Sequence, residues 1–393
     1  MHISDFSLHD FRSYSELVLR FEPGVNVLVG RNGQGKTNIV EGIEYLSTHS
    51  SHRVSSDTAL VRQGAAAAVV RARVNSGSSD AAVVEQREEG DAGKQPQLSA
   101  RSTLLEIEIL AGRANRARLN RGAVKPAETL GIVRTIVFAP EDLSLVTGDP
   151  SVRRRFLDVL MIQEHPRMKA VKSDYEKVLR QRAALLKEAA MARRRGRSFD
   201  EATLDVFDST LAALAEQIVR ARADIVARLA PHVAHYYREV SGEDVQASVH
   251  YAANTLAEDF PGALAKMRRR EIEAGQNLVG PHRDDVQLQL GSLPAKGYAS
   301  HGESWSFALA LRLASWQVLR SPEWGAWSEA GEPILILDDV FAELDARRRA
   351  RLVDLVREAE QVFVTAAVGD DLPENLAARR YLVANGEVTV DES

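Results

Sequence analysis

Val25-Asn26-Val27-Leu28-Val29 alternates and then turns fully apolar, the pattern of a strand that enters a buried sheet. Beyond a glycine-rich break at residues 30–37, Ile39, Ile43 and Leu46 recur at helical spacing within residues 38–46. Further strand-like runs fall at residues 68–74, 103–110 and 132–138, so residues 1–147 read as mixed α/β. Residues 75–100 are polar and Gly/Ser-rich, which predicts loops or a weak hairpin tip. From Asp149 the period changes. Met168, Val171, Tyr175, Val178, Arg182 and Leu185 follow three-four spacing, and so do Leu204, Phe207, Leu211, Leu214, Ile218, Ala221 and Ile225. Two such helices on either side of Arg193-Arg194-Arg195-Gly196-Arg197 predict an antiparallel pair. Ser198 with Glu201 has the form of a capping box opening the second helix, and Pro231 predicts a kink or break in it. The strand pattern returns with Val286, Leu288 and Leu290. A helix at residues 302–319, a buried strand at 334–337, a helix at 347–358 and a strand at 361–365 follow.

An α/β core split by a helical insertion is therefore expected. Its head comprises residues 1–148 and 275–393, and its helical arm residues 149–274. A chain of 393 residues with 45% apolar content has ample core for this division. With no cysteine there are no disulfides or thiolate metal sites, which fits a reducing cytoplasm, and the N-terminus has no leader-like basic and apolar run. No stretch approaches 18 apolar residues, so no membrane partner is expected. The net charge of −5 is unevenly spread: residues 151–270 hold 22 Lys/Arg against 16 Asp/Glu, and residues 151–197 hold 14 against 5. Arg outnumbers Lys 41 to 9, a genome-wide kind of bias, yet bias of that kind does not choose a region.

The break at 30–37 reads Gly30-Arg31-Asn32-Gly33-Gln34-Gly35-Lys36-Thr37, a complete phosphate-binding loop between strand and helix. Its glycines let successive backbone N–H groups surround an anionic phosphate at the helix start. Lys36 is placed to reach the β- and γ-phosphates, and the Thr37 hydroxyl to ligate Mg²⁺. About 300 residues later, Pro333-Ile334-Leu335-Ile336-Leu337-Asp338-Asp339 is an apolar strand ending in two acids. Asp338 is expected to hold Mg²⁺ and Asp339 to act as general base on an attacking water. Glu343-Leu344-Asp345 follows at the spacing of a turn that contacts a partner subunit. Upstream, Ser300 and Gly302 with Glu303 open a periodic helix, which makes a second anion-binding end or a simple N-cap. His282, Asp284 and Asp285 read as a turn entering the Val286 strand rather than as a metal cluster.

Phosphate loop, Ser-x-Gly-Glu at a helix start, strand-Asp-acid and Leu-Asp together resemble the ABC-type P-loop ATPase head, here with an inserted, mainly helical second domain. Finer motifs are similar to those of the RecF family of bacterial recombination and repair ATPases. They are Phe11-Arg12-Ser13-Tyr14, the loop continued through Asn38, Ser51-His52-Arg53 and Phe138-Ala139-Pro140-Glu141-Asp142-Leu143. They continue with Gly148-x-Pro150-x-x-Arg153-Arg154-x-Phe156-Leu157-Asp158, Val279-Gly280-Pro281-His282-Arg283-Asp284-Asp285 and the Asp338-Asp339 pair. The resemblance implies that ATP and Mg²⁺ are the cofactors, and that Arg12 and Asn38 join residues 30–37 around the nucleotide. It implies that Ser300, Gly302 and Glu303 act in trans on nucleotide held by the opposite subunit of an ATP-closed homodimer, with Asp345 in the subunit-contact loop. Three residues depart from the generic ABC pattern. His301 replaces the first signature glycine, Asp339 the usual catalytic Glu, and Ala366 a switch His. The last two imply slow hydrolysis. Glu141 and Asp142 stand where a metal-side residue is expected.

The function so implied is an ATP-gated clamp on double-stranded DNA near single-strand gaps and junctions. It acts with RecO and RecR, indirectly serves RecA loading, and works at the nucleoid in the cytoplasm. The candidate DNA surface is the basic stretch, with Lys169, Lys172 and Lys177 along a helix and Arg193, Arg194, Arg195 and Arg197 at the hairpin tip. Arg153 and Arg154 belong to a motif that reads as structural. The rival from another class is a transporter's nucleotide-binding subunit, against which Ala366 and the basic insertion count. A long-armed chromosome-structuring ATPase needs helices far longer than these.

Overall fold

The alternating runs become strands of two six-stranded sheets in a computed structural model, which describes every residue except 55, 77–100, 321–330, 368–375 and 392–393. Most of the polar stretch expected as loops, residues 77–100, thus lies outside the described residues. In chain order, β1 (His2–Phe11) and β2 (Tyr14–Arg20) form a hairpin, and β3 (Gly24–Val29) leads into α1 (Lys36–Thr48). β4 (Ala67–Ser76), β5 (Arg101–Leu110), β6 (Arg116–Leu119), β7 (Gly122–Val124) and β8 (Thr135–Phe138) follow. Then come α2 (Leu143–Thr147), α3 (Pro150–Glu164), α4 (Met168–Arg194) and α5 (Ala202–Ser241). β9 (Ala247–Ala252), α6 (Phe260–Ala274), β10 (Asp285–Leu290), β11 (Leu293–Pro294), α7 (Ala295–Tyr298) and α8 (His301–Arg320) come next. β12 (Ile334–Asp338), α9 (Ala346–Val356), β13 (Gln361–Ala366), β14 (Arg379–Ala384) and β15 (Glu387–Asp391) end the chain's ordered elements.

Two compact units divide these elements. One comprises Met1–Asp142, Glu239–Ser241 and Ser315–Ser393, and the other Leu143–Arg238 and Gly242–Ala314. These units are cut at 142/143, 238/239, 241/242 and 314/315, beside an expected head and arm drawn at 148/149 and 274/275. Strand pairing explains the last cut. β10 pairs antiparallel with β9 over six residue pairs, Asp285↔Ala252 to Leu290↔Ala247, which ties the chain after residue 275 to the helical unit.

In the first unit, an antiparallel sheet runs β2-β1-β4-β5-β6-β7 and a mixed sheet runs β15-β14-β3-β13-β12-β8. The helix α1 touches β1 and β4 of one sheet and β8, β12 and β13 of the other. That position explains why Val40 and Tyr45 are buried as well as the predicted stripe Ile39, Ile43 and Leu46: a helix covered on opposite sides needs apolar residues nearly all round. Within the mixed sheet β14, β3, β13, β12 and β8 are mutually parallel. Their registers, Val29↔Ala366, Asp338↔Thr365 and Leu337↔Phe138, gather the carboxyl ends of the central strands on one edge. Ligands of open α/β sheets bind at such an edge.

The second unit is built on α4 and α5, joined by a short link carrying the arginine run. Leu186, Ala189, Leu204 and Ile272 form a small apolar cluster. Beside it the fully buried Arg182 donates to Asp208 (2.5 Å), Glu271 (2.6 Å) and Asn277 (2.7 Å). Of two local expectations, the break at Pro231 is not seen and the Ser198 cap is not used. α5 runs unbroken through Pro231, because buried Ile225, Leu229, Val233 and Tyr237 anchor the helix on both sides of it. The Ser198–Glu201 capping box is not formed: the helix starts after Glu201 with no side-chain cap, and Asp200 accepts the Ala202 N–H instead (3.0 Å).

Candidate nucleotide site

The glycine loop lies where β3 ends, and at two of its glycines a side chain would force its neighbours or its own backbone to shift. A Cβ at Gly30 would stand 2.1 Å from the carbonyl oxygen of Val383 on β14, inside contact distance of backbone. Gly35 has φ +108°, and a Cβ there would meet the Tyr14 hydroxyl at 2.6 Å. Tyr14 is itself buried, its pKa is pushed up to about 12 by that burial, and its hydroxyl has no hydrogen-bond partner among the described residues. Lys36 is buried, with its ammonium folded back to donate to the Gly30 carbonyl (2.7 Å) and, at longer range, to the Arg31 carbonyl (3.4 Å). These carbonyls hold the Lys36 cation against the loop. Gln34 accepts the Asn385 N–H (2.5 Å), which fastens the loop to the turn between β14 and β15.

Next to the loop, the Thr37 hydroxyl donates to Oδ1 of Asp338 at 3.0 Å. These two residues are 301 positions apart, and one hydroxyl and one carboxylate form the hard-oxygen pair that suits Mg²⁺. Asp338 is buried at the end of β12. Burial raises its pKa, the Thr365 hydrogen bond opposes that rise, and the neighbouring Asp339 charge adds to it. Thr365, fully buried on β13 and in register with Asp338, donates to Asp338 Oδ1 (2.7 Å), lies 3.2 Å from Asp339 Oδ1, and accepts the Asp339 N–H (2.8 Å). That last bond accompanies a left-handed backbone at Asp339 (φ 51°, ψ 22°), which turns the chain sharply out of β12.

A histidine joins this group from the loop after α1. His52 Nδ1 is 2.6 Å from Glu44 Oε2, and Nε2 lies 3.9 Å from Asp338 Oδ2. Burial disfavours its cation, but the Glu44 bond and charge, followed by Asp338 and Glu141, outweigh burial and lift its pKa to about 9.

Other predicted residues have partners of their own. Arg12 makes a bidentate pair with the buried Glu41 (2.6 and 2.8 Å) and donates to the Ala59 carbonyl (3.0 Å). Asn38 donates to Ser13 (2.9 Å) and accepts from Arg53 (3.1 Å). Asp142 is buried and accepts the Ala139 N–H (3.1 Å), whereas Glu141 is exposed. Asp345 caps α9 through the Arg348 N–H (2.9 Å), and that bond with the Arg348 charge holds its carboxyl below the ordinary range.

In the second unit, Ser300 and Glu303 form a reciprocal capping box at the start of α8: Ser300 N–H to Glu303 Oε2 at 2.7 Å, and Glu303 N–H to Ser300 Oγ at 3.3 Å. His301 Nε2 accepts from the Trp305 indole (3.2 Å). His282, Asp284 and Asp285 diverge to Tyr175, Tyr251 and Arg153, and Arg153 is buried in a bidentate pair with Asp285. Of the candidate DNA contacts, Lys172 is engaged by Glu176 and Arg193 lies 3.4 Å from Glu273. Lys169, Lys177, Arg194, Arg195 and Arg197 are exposed.

The RecF/RecN/SMC N terminal domain matches residues 2–378. A protein of Beutenbergia cavernae called DNA replication and repair protein RecF is 51% identical, covering 99% of each chain. The chain belongs to the RecF family. A Streptomyces avermitilis member is 50% identical over 99% of each chain. A solved structure of the recombination mediator RecF with ATP, from the RecFOR pathway, superposes with a TM-score of 0.82 at 25% identity, covering 99% of this chain and 97% of that one. An Smc head bound to the C-terminal winged-helix domain of ScpA reaches a TM-score of 0.54 at 16% identity, a likeness of fold alone. The chain is therefore a replication and repair protein with the ABC/SMC-type ATPase fold, as the motifs implied. No helix among the described residues is long and apolar enough to cross a membrane.

Sequence reading missed three contributors to the site. Glu41 and Glu44 carried one visible signal, acids set among the apolar Ile39, Val40, Ile43 and Leu46 of one helix. Thr365 ends an apolar strand as Asp338 does, but its role depends on a strand register that sequence does not display.

Proposed function

We propose that this protein is a slow, Mg²⁺-dependent ATPase that closes as a homodimer on double-stranded DNA and releases it after hydrolysis. The observation that carries this reading is the 3.0 Å contact between Thr37 and Asp338, which joins the phosphate loop to the acid strand. Thr37 and Asp338 would hold the metal, whose chemistry is to neutralise charge on the β- and γ-phosphates. Residues 30–38 and Arg12 bind the nucleotide, Lys36 with its charge on the terminal phosphates. Asp339 orients the attacking water, and its side chain is one methylene shorter than the Glu of faster relatives. Ser300, Gly302 and Glu303 act on nucleotide in the opposite protomer, with Asp345 at the subunit contact. The arm, residues 149–274, offers its basic surface to duplex DNA at gaps and junctions. RecO and RecR are the partners and RecA loading the indirect outcome, at the nucleoid in the cytoplasm. The RecFOR context of the solved ATP complex supports that assignment.

Lys36→Met tests the site directly. The polyphosphate loses its main cation, so ATP affinity should drop by at least about tenfold in a fluorescent-nucleotide titration, and ATP-dependent mass increase in light scattering should vanish. Undiminished ATP binding and turnover in this variant would put the nucleotide elsewhere.

A further inference from the structure

Between the end of α4, the start of α5 and α6 lies a cavity of about 530 Å³, to which the proposed hydrolysis gives no task. Its size falls within the range of about 300–1,000 Å³ usual for small-ligand sites. The floor is apolar: Ala189 and Ile272 are buried, and Phe199, packed against them, is only half-buried. The rim is mostly arginine. Arg268 is taken by Asp205 and Asp208 (2.6 Å each), while Arg193 and Arg269 share one carboxylate, that of Glu273 (3.4 and 3.2 Å). Arg197 is exposed, and its guanidinium has no partner among the described residues. A Schellman turn sets its place. Gly196 (φ 66°) donates its N–H to the Arg193 carbonyl (3.1 Å), and the Arg197 N–H goes back to the Ala192 carbonyl (2.9 Å). Such turns frequently carry an apolar side chain at the position Arg197 holds, folded back on the helix. Here that position carries a guanidinium, and it lines the cavity. Glu201 adds one carboxylate to the lining.

We propose that this cavity takes one unpaired base of the DNA next to the duplex, stacked on Phe199, with its phosphate on Arg197. An aromatic ring and a guanidinium are the surfaces on which single-stranded bases stack, whatever their sequence. The free guanidinium suits the phosphate through a charge-assisted bond, and the Glu201 carboxylate suits an N–H of the base. An acidic peptide would be repelled by that same carboxylate. Arg194 and Arg195, assigned to duplex phosphates, stand on the same link, so the two surfaces are continuous. A base inside a duplex is stacked and out of reach, so only gapped or single-stranded DNA can fill the cavity. The role rests on the reading of the arm as the DNA surface. It supplies what phosphate contacts lack, a means of telling a gap from continuous duplex.

Leucine and tyrosine at position 199 separate packing from stacking, since Phe199→Leu keeps an apolar side chain on the floor and Phe199→Tyr keeps the ring. Fluorescence anisotropy compares a blunt duplex with the same duplex carrying a short single-strand gap, in ATP and Mg²⁺ at fixed salt. The parent should bind the gapped DNA more tightly. Phe199→Leu should lower affinity for gapped DNA at least about fivefold, the lower end of what one base stacked on an aromatic ring contributes, and leave blunt-duplex affinity unchanged. Phe199→Tyr should keep the preference for the gap. In the parent protein, iodouracil at the first unpaired position should crosslink on illumination to the peptide that carries Phe199, a readout that needs no variant to fold. Parent-like affinity for gapped DNA in Phe199→Leu overturns the proposal and leaves the cavity to a protein segment. So does a loss shared equally by blunt and gapped DNA, or crosslinking confined to peptides that do not line the cavity. A parent that binds blunt and gapped DNA alike overturns the cavity's role while the duplex reading stands. A parent that binds neither overturns both.

Discussion

A hydroxyl has one proton to give, and at Thr365 two carboxylates stand within reach of it: Asp338 Oδ1 at 2.7 Å and Asp339 Oδ1 at 3.2 Å. The shorter bond goes to the buried acid, where an unshared charge costs most, and the half-buried Asp339 is held less closely. That division of labour is what the reading of Asp339 as general base needs. Asp339→Asn should retain ATP and Mg²⁺ binding while turnover falls about a hundredfold, and DNA complexes formed with ATP should outlive those of the parent. Unchanged turnover would place the base on another residue. The acids themselves were legible in the sequence, because an apolar strand ending in Asp-Asp is a local pattern. Thr365 and His52 were not, although His52 lies in the Ser51-His52-Arg53 motif. Their importance comes from register and from a loop folding back, neither of which leaves a mark in neighbouring residues. The loop glycines were legible for the opposite reason: Gly35 is dictated by its own φ of +108°.

Helices and their ends show the same division. Three-four spacing announced α4 and α5, but the caps exchanged places: the box written at Ser198 is absent, and the one at Ser300 is formed in both directions. Residue type permits a cap, and the chain's path into the helix decides whether it is used. Ser300→Arg should leave ATP binding by the monomer intact while abolishing the ATP-dependent dimer in light scattering, since the residue is assigned to act in trans. A normal dimer would reduce Ser300 to a cap. Inside the helical unit, periodicity alone makes Arg182 one more position on an apolar stripe. It is instead the hub for Asp208, Glu271 and Asn277. Arg182→Ala leaves buried carboxylates without their cation, at a cost of about 3–5 kcal/mol. The expected signs are an earlier unfolding transition for this unit and faster amide exchange in α4–α6, with ATP binding preserved. An unshifted transition would mean that Arg268, which also donates to Asp208 (2.6 Å), and water suffice.

At the scale of the whole molecule the informative quantity is where the charge lies. The chain is acidic at −5, yet residues 151–197 hold 14 basic residues against 5 acidic ones. The structure sorts that surplus into two kinds. Arg153, Arg154, Arg182 and Lys172 are engaged by carboxylates or carbonyls, so they hold the unit together and contribute little to an outside partner. Arg194, Arg195 and Arg197 are exposed at the link between α4 and α5, and Arg193 beside them is shared with Glu273. Binding through such groups displaces counterions from DNA, so affinity should fall steeply with salt and hardly vary with sequence. Reversing Arg193, Arg194, Arg195 and Arg197 to Glu should weaken duplex binding alike for all sequences. It should also lower the slope of log affinity against log salt by up to about 3–4, roughly 0.9 for each phosphate no longer neutralised. ATP binding by the same variant should match the parent, because every residue assigned to the nucleotide belongs to the other unit or to residues 300–303. A salt slope equal to the parent's would move the DNA to the first unit and leave the arginine link as a surface for a protein partner.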